Sequence, residues 1–511
     1  MSGQSGTSAI SAMSRSEHAW ITLSVMLASI MQALDNTIAN VALPHIQGSL
    51  SATQDQMTWV LTSYIIAAAI MTPLSGWLAG RFGRRRVFLL SITGFTLASA
   101  LCGLAQTLPE MVFARLFQGL CGAALIPMSQ AVLLDINPPE KHARAMALWI
   151  MGVTIGPILG PALGGWLTEN YNWRWVFYLN VPVGIFAYLG IQAFMRETPL
   201  RLGRFDWTGF LSLSLAVGSL QMLLDRGPLL DWFSAREIQI EAVLAMAAFY
   251  CFVVHVLTTD AIPFVRPALF LDRNFLTGNV FIFIVGIVLF ATLALLPPLL
   301  QEELGYPVVL TGVVTAPRGV GTLLAMFLVG RMMGKIDSRL IIACGFLLTA
   351  LSLYEMSHFS LIMGTDRVVY SGLVQGLGTG LVYVPLAAIS FATLSLDLRN
   401  EGTAIFSLIR NIGSSLGISA VEAMLTHNRQ VLHAQLAEAL TPYPGVLQGS
   451  LAAQGSGSLL RLNLEVNHQA AMIAYNNDFY LMLWLTLLAV PLVVLLRRAV
   501  PVKTTEPLVL E

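Results

Sequence analysis

One aspartate sits where an aspartate is costly. Asp35 lies in LDNTIANVALP, inside the first long apolar run, and is followed by Asn36, Thr37 and Asn40. A carboxylate inside a membrane-spanning helix costs about 3 kcal/mol or more, so it must face a cavity or a partner. Such a group can exchange a proton for a cationic substrate. A hydrogen-bonded contact between helices is the plainer alternative. Arg115 opens RLFQGLCGAALIP and is as deeply placed. A guanidinium keeps its proton, so it needs a carboxylate or carbonyl partner and can tune a carboxylate without carrying the proton itself. Snorkelling toward an interface is its alternative. Arg318 in APRGVGTL and Arg410 in LIRNIGSSLG are the other intramembrane arginines. With Asp35 and Asn36 they form the candidate lining of a substrate cavity, weighed against purely structural roles.

Nothing in the chain reads as an enzyme. The eight histidines are scattered and form no HExxH, and no GxxxxGK[ST] loop is present, so ATP does not power this chain directly. Cys102, Cys121, Cys251 and Cys344 all fall in apolar runs without metal-ligand spacing. They read as reduced packing residues. No metal and no cofactor are expected.

Two glycine-rich stretches bear on motion. In RAMALWIMGVTIGPILGPALGGWLT, residues 144–168, Gly152, Gly156, Gly160 and Gly164 recur every four positions, and Gly165 adjoins the last. That spacing makes a strip without side chains along one helix face, and another helix can approach it closely. Pro157 and Pro161 each remove a backbone donor and predict a bend. Tight packing alone is one reading; a deformable seam against a second bundle is the other. In SGWLAGRFGRRRV, residues 75–87, Gly76 and Gly83 flank Arg81, with Arg84, Arg85 and Arg86 following. Part of this charge is a topological signal. The rest can pair with acidic groups or helix C-termini and latch one conformation.

These residues need a membrane scaffold. The chain has 511 residues, 56% hydrophobic and 11% charged, against about 25% charged in soluble domains. It is therefore an all-α polytopic membrane protein made largely of spanning helices. Zero net charge says nothing about nucleic acid, and no basic tract suggests such binding. The first sixteen residues read as a flexible tail. Fourteen spans are expected. Alternate loops hold 19 Lys and Arg on one side against 6 on the other, which places both termini in the cytoplasm.

An internal repeat organises the spans. Gln118-Gly119-Leu120 returns as Gln375-Gly376-Leu377, and Gly156 and Gly160 return as Gly413 and Gly417, all 257 positions on. The spans then divide as six, two and six. Residues 1–195 form the first bundle with its short cytoplasmic tail. Residues 196–273 form two linker helices, and 274–511 the second bundle with an outer loop over 426–478. Parallel half-repeats mark transporters, with the substrate site at their interface.

Together these stretches resemble the major facilitator superfamily, and within it the fourteen-helix drug:proton antiporters of the EmrB/QacA-like group. LDNTIANVALP is similar to the group's first-helix motif and GWLAGRFGRRR to the superfamily's loop motif. RLFQGLCGAALIP resembles the fourth-helix motif, and GVTIGPILGPALGGWL the antiporter motif, the most specific signal. WRWVFYLNVPVG, FDWTG, IRNIGSSLG and QAAMIAYNNDF are also group-like, so the resemblance spans nearly the whole chain. One departure is Gly80, where the loop motif usually carries an acid; the ion pair of that motif is then in doubt.

The resemblance implies a major facilitator fold in a bacterial cytoplasmic (inner) membrane. It implies a role for Arg115 in proton coupling, and export of hydrophobic, often cationic or weakly acidic, compounds. It also implies that some members work with a periplasmic adaptor and an outer-membrane channel. A dedicated exporter of one endogenous metabolite or siderophore is the alternative, and a membrane receptor without turnover is the alternative of another class.

Overall fold

In a bilayer the backbone amides have no water to bond, so each apolar run satisfies them internally as helix. The computed structural model describes residues 14–497 apart from 53, 139–140, 198–199, 201–204, 260–262, 396–397 and 441–456. Of some further residues, Asn36, Pro157 and Pro161 among them, only the backbone is described. Both chain termini lie outside the described residues. The only β-pairing among the described residues is an isolated bridge between Met333 and Ile336.

The helices in chain order are α1 (Arg15–Leu50), α2 (Gln54–Phe82), α3 (Arg84–Leu104), α4 (Leu108–Gly122), α5 (Leu125–Ile136), α6 (His142–Asn170), α7 (Asn180–Phe194) and α8 (Trp207–Arg226). They continue as α9 (Arg236–Thr258), α10 (Arg273–Pro298), α11 (Val308–Thr315), α12 (Pro317–Met332), α13 (Ser338–Met356), α14 (Thr365–Ala392), α15 (Arg399–Leu440) and α16 (Gly457–Leu492). Local chemistry sets several ends. Ser14 and Glu17 form a capping box that starts α1, and Ser51 ends it in the left-handed region at φ 50°. Thr107 and Glu110 start α4 in the same way.

Thirteen helices among the described residues are long and apolar enough to cross a membrane, and the chain is a multi-pass membrane protein. In that set α4 and α5 count as one span, Leu108–Ile136. The glycine helix α6 stands outside the thirteen yet runs unbroken for 29 residues. Its glycines and prolines do not break it, because packed neighbours and an apolar surround leave no cheaper partner for its backbone.

The stretch 426–478, expected as an outer loop, is mostly helix. α15 continues to Leu440 and α16 begins at Gly457, so only 441–456 of it lie outside the described residues. Extending an existing helix needs no new nucleus, and VLHAQLAEAL is rich in strong helix formers. The two extensions touch where His433 Nε2 meets Asn463 Oδ1 at 3.2 Å.

The sequence repeat is matched in packing. α1 packs on α6 and α7 as α10 packs on α15 and α16. Between the two groups α2 meets α15, and α6 meets α12. Helix α8 lies on α2 and reaches α15, where Gln221 and Ser415 exchange hydrogen bonds of 2.7 and 3.0 Å.

The α8–α9 pair has its own tie, in the FDWTG stretch. Asp206 caps α8, accepting from the Gly209 and Phe264 N–H groups at 2.9 Å each, and His255 Nε2 of α9 lies 2.8 Å from it. Burial opposes its charge, but those donors prevail and hold its carboxyl below the usual carboxylate range. Asp206→Ala is expected to cost about 2 kcal/mol through the lost cap and the orphaned donors. Thermal unfolding in detergent measures it. A depressed carboxylate stabilises above its ordinary value, so the wild-type advantage fades as the pH falls through the depressed one.

Candidate functional site

Asp35 and Arg115 meet. Both are buried, at 0% and 1% exposure, and Arg115 Nη1 lies 2.7 Å from Asp35 Oδ2. The other Asp35 oxygen accepts from Gln118 Nε2 at 2.9 Å and Asn180 Nδ2 at 2.7 Å. Arg115 also donates to Val60 O at 3.1 Å and to Gln118 Oε1 at 2.8 Å. Its guanidinium stacks over the Tyr64 ring at 4.4 Å. Asn180 in turn donates to Ser99 Oγ at 2.9 Å. Residues from α1, α2, α3, α4 and α7 thus converge on one carboxylate.

Helix geometry explains the convergence. Arg115 and Gln118 are three apart on α4 and share a face. Asn180 opens α7, which packs on α1. The result is a hydrogen-bonded ion pair in a buried site. Removing one partner of such a pair costs about 3–5 kcal/mol, because the other is left as a bare charge. A proton arriving on Asp35 would release Arg115 from its counter-charge and oblige the helices to rearrange. That is the chemistry needed to turn a proton into motion.

The arginines of the second bundle are placed differently. Arg318, 8% exposed, donates to Leu289 O at 3.3 Å, and its Nη1 is buried without a partner. It lies against Gly372 and Gly376 of α14. Arg410 donates to Tyr383 OH at 3.0 Å and to Asn411 Oδ1 at 3.2 Å. Among the described residues, neither pairs with Asp35. The Asn36 side chain lies outside the described residues.

The glycine strip meets α1 at Gly152, Gly156 and Gly160. Gly152, Gly156, Gly160 and Gly164 are buried and Gly165 half-buried. A Cβ on Gly156 would stand 2.7 Å from Leu34 N, and one on Gly160 would strike the Thr37 hydroxyl. Thr37 Oγ1 donates to Gly156 O at 3.2 Å. Gly152, Gly156 and Gly160 therefore seat α6 on α1, the helix carrying Asp35, and α6 also meets α12. Gly413 and Gly417 repeat this by seating α15 against Phe283 and Ile287 of α10. Strips of small residues let backbones touch, but their spacing does not name the helix they touch. The Pro157 and Pro161 side chains lie outside the described residues. Gly156→Leu is expected to cost about 1–3 kcal/mol by overpacking α6 against α1 and to lower transport with it. Unfolding and transport assays on one preparation read both effects.

The basic loop forms a charge cluster. Gly76 is buried and Arg81 half-buried. Gly83 turns the chain at φ 91°, beside the Glu197 carboxylate. Glu197 caps α3 by accepting from Arg85 N at 3.1 Å, and Arg86 lies 3.9 Å from it. Arg84 pairs with Asp135 of α5, and Arg399 of α15 lies 3.6 Å from the same carboxylate. Asp135 thus places an acid beside the basic loop and joins α3 to α15. Sequence reading missed Asp135, Arg399, Asn180, Ser99 and Tyr64. Gln118 was visible in the repeat, and Asn180 as a polar residue in the apolar WRWVFYLNVPVG.

The Major Facilitator Superfamily sequence profile matches residues 25–417. The chain is 36% identical to the multidrug export protein EmrB of Escherichia coli (strain K12) over 473 residues, covering 90% of this chain and 92% of that one. It is 36% identical to the fatty acid resistance protein FarB of Neisseria gonorrhoeae over 483 residues, covering 93% and 95%. In structure it resembles the human organic anion transporter MFSD10 (TETRAN), with TM-score 0.61, 14% identity and 92% and 99% coverage. It also resembles a bacterial homologue of the human lysosomal transporter Spinster in an inward-facing, unoccupied conformation. There the TM-score is 0.55, with 17% identity and 94% and 98% coverage.

Proposed function

The chain belongs to the Major Facilitator Superfamily, and we propose that it is a proton-driven multidrug exporter of a bacterial cytoplasmic membrane. The observation that carries the coupling is the buried Asp35–Arg115 pair. The relatives' names support export of unrelated amphiphiles, including fatty acids. The bare Nη1 of Arg318 suits a weakly acidic substrate group.

On this reading the bundles 1–195 and 274–511 rock about a central site, with 196–273 as two linker helices. α6 completes fourteen spans, and both termini lie in the cytoplasm. Protons enter from outside, load Asp35, and substrate leaves as they pass inward. One proton moving down 100 mV supplies about 2.3 kcal/mol, enough for more than about tenfold accumulation. If a periplasmic adaptor and an outer-membrane channel serve this chain, the paired extensions of α15 and α16 are the element we assign to docking.

Proteoliposomes loaded with a pH-sensitive dye test the reading. A panel of lipophilic cations, weak acids and fatty acids is added under an imposed proton gradient. Saturable proton movement with several unrelated compounds is expected. A response to one compound alone would favour the dedicated exporter, and saturable binding without flux would favour the receptor.

A further inference from the structure

The second bundle holds a carboxylate as buried as Asp35 and far more isolated. Asp478 of α16 is 0% exposed, and neither of its oxygens has a hydrogen-bond partner. No ion pair reaches it among the described residues. An uncompensated charge in such a place is among the costliest groups a helix bundle can hold. The smallest species that removes the cost is a proton.

A line of groups leads to it along one face of α16. His468, Tyr475, Asp478 and Met482 are spaced seven, three and four apart, which stacks them on one side of the helix. At the start of the line the π-turn Leu299–Glu303 presents Glu303, whose side chain is 2% exposed. His468 Nδ1 lies 2.7 Å from Glu303 Oε2, and Arg429 Nη2 of α15 lies 3.3 Å from Oε1. His468 and Arg429 are themselves 41% and 42% exposed, so solvent meets the chain there. Tyr475 is buried and within electrostatic reach of Glu302, Glu303, Arg429 and Asp478. Beyond Asp478, Met482 Sδ meets Thr292 Oγ1 at 3.9 Å, and that hydroxyl accepts from Gln375 Nε2 at 3.1 Å.

Gln375 repeats Gln118, which bonds Asp35, and Thr292 stands 257 positions after Asp35. The second bundle thus keeps the glutamine but carries a hydroxyl on its first helix, with its acid on its last.

The other elements packed on α16 bring little charge to Asp478. α15 brings Arg429 and the π-turn brings Glu302 and Glu303. α13 brings the half-buried Glu355 and the exposed His358 beyond its end, with Phe359 O accepting from Asn476. α10 has no titratable side chain after Arg273 at its opposite end.

We propose that Asp478 is a second proton-binding site, in the second bundle, loaded from the outer face through the Glu303–His468 pair and Tyr475. The proton leaves His468 or Glu303, passes by way of the Tyr475 hydroxyl, which gives one proton and regains another, and forms an O–H bond on Asp478. This deepens the proton-driven reading, with outer meaning the face assigned there.

The test uses the purified full chain in lipid nanodiscs and infrared difference spectra between acid and alkaline pH. A carboxylic-acid C=O band is expected that Asp478→Asn removes and Asp35→Asn retains. Identical spectra in wild type and Asp478→Asn would overturn the site, as would a band that answers to sodium and not to pH. Size exclusion and helix content establish that each variant is folded. Glu303→Gln and Tyr475→Phe keep the acid in place, so they are expected to retain the band and slow its appearance after a pH jump by tenfold or more. Unchanged rates in both would overturn the route. The band needs no substrate, so failure of drug-driven proton movement would count against the exporter reading and leave this assignment standing.

Discussion

Asp35→Asn is expected to abolish substrate accumulation against a gradient while leaving substrate exchange across the membrane intact. The amide matches the carboxylate in size and cannot carry a proton. Every donor around Asp35 is aimed at a carboxylate, from Arg115, Gln118 and Asn180. The substitution therefore also strands a buried guanidinium, at a cost of about 3–5 kcal/mol. The double change Asp35→Asn with Arg115→Gln removes both charges. It is expected to recover much of that stability and none of the transport. Counterflow and proton-driven uptake, measured side by side in proteoliposomes, separate the two losses. Normal accumulation by the folded Asp35→Asn chain would place coupling elsewhere.

Breaking the Asp135 bridge is expected to open the face that carries the basic loop. Arg84 of α3 and Arg399 of α15 converge on this carboxylate, with side-chain exposures of 7% and 11% against 29% for Asp135. Asp135→Asn leaves two arginines facing each other with no acid between them. Partial exposure moderates the effect to about 1–2 kcal/mol, or a population shift of roughly fivefold to thirtyfold. Distances between spin labels on α3 and α15 read it directly; an unchanged distribution would mean that Asp135 does not latch.

His142 adds a pH dependence to the same bridge. It starts α6, ahead of the apolar span, and is 6% exposed. Burial first, and the Arg399 charge second, hold its imidazole below the ordinary value. A depressed histidine favours its neutral form, so the packing that buries His142 is at full strength above about pH 6.5 and weakens as the pH falls toward the depressed value. His142→Gln is expected to flatten that response.

Membrane class, helical architecture, the internal repeat and family membership were all legible in the sequence, because each is written in local pattern. Apolar runs of spanning length, the bias of Lys and Arg between loops, and glycines every fourth residue need no knowledge of neighbours. The intramembrane charges announced themselves for the same reason: Asp35 and Arg115 are expensive wherever their helices pack. The ends of α15 and α16 were less legible, since hydropathy marks where a helix leaves the apolar layer and not where it stops.

Partnership was decided by the tertiary structure alone. Periodicity says which residues share a face, and it is silent on which helix that face meets. Asn180 reaches Asp35 across 145 positions, and Arg399 reaches Asp135 from α15. Gly152, Gly156 and Gly160 turned out to meet α1, while α6 also meets α12. Asp478 had no mark in the sequence beyond one acid in QAAMIAYNNDF. Only the packed bundle reveals that Asp35 is supplied with three donors while Asp478 has none among the described residues, and the proposed proton site rests on that difference in solvation.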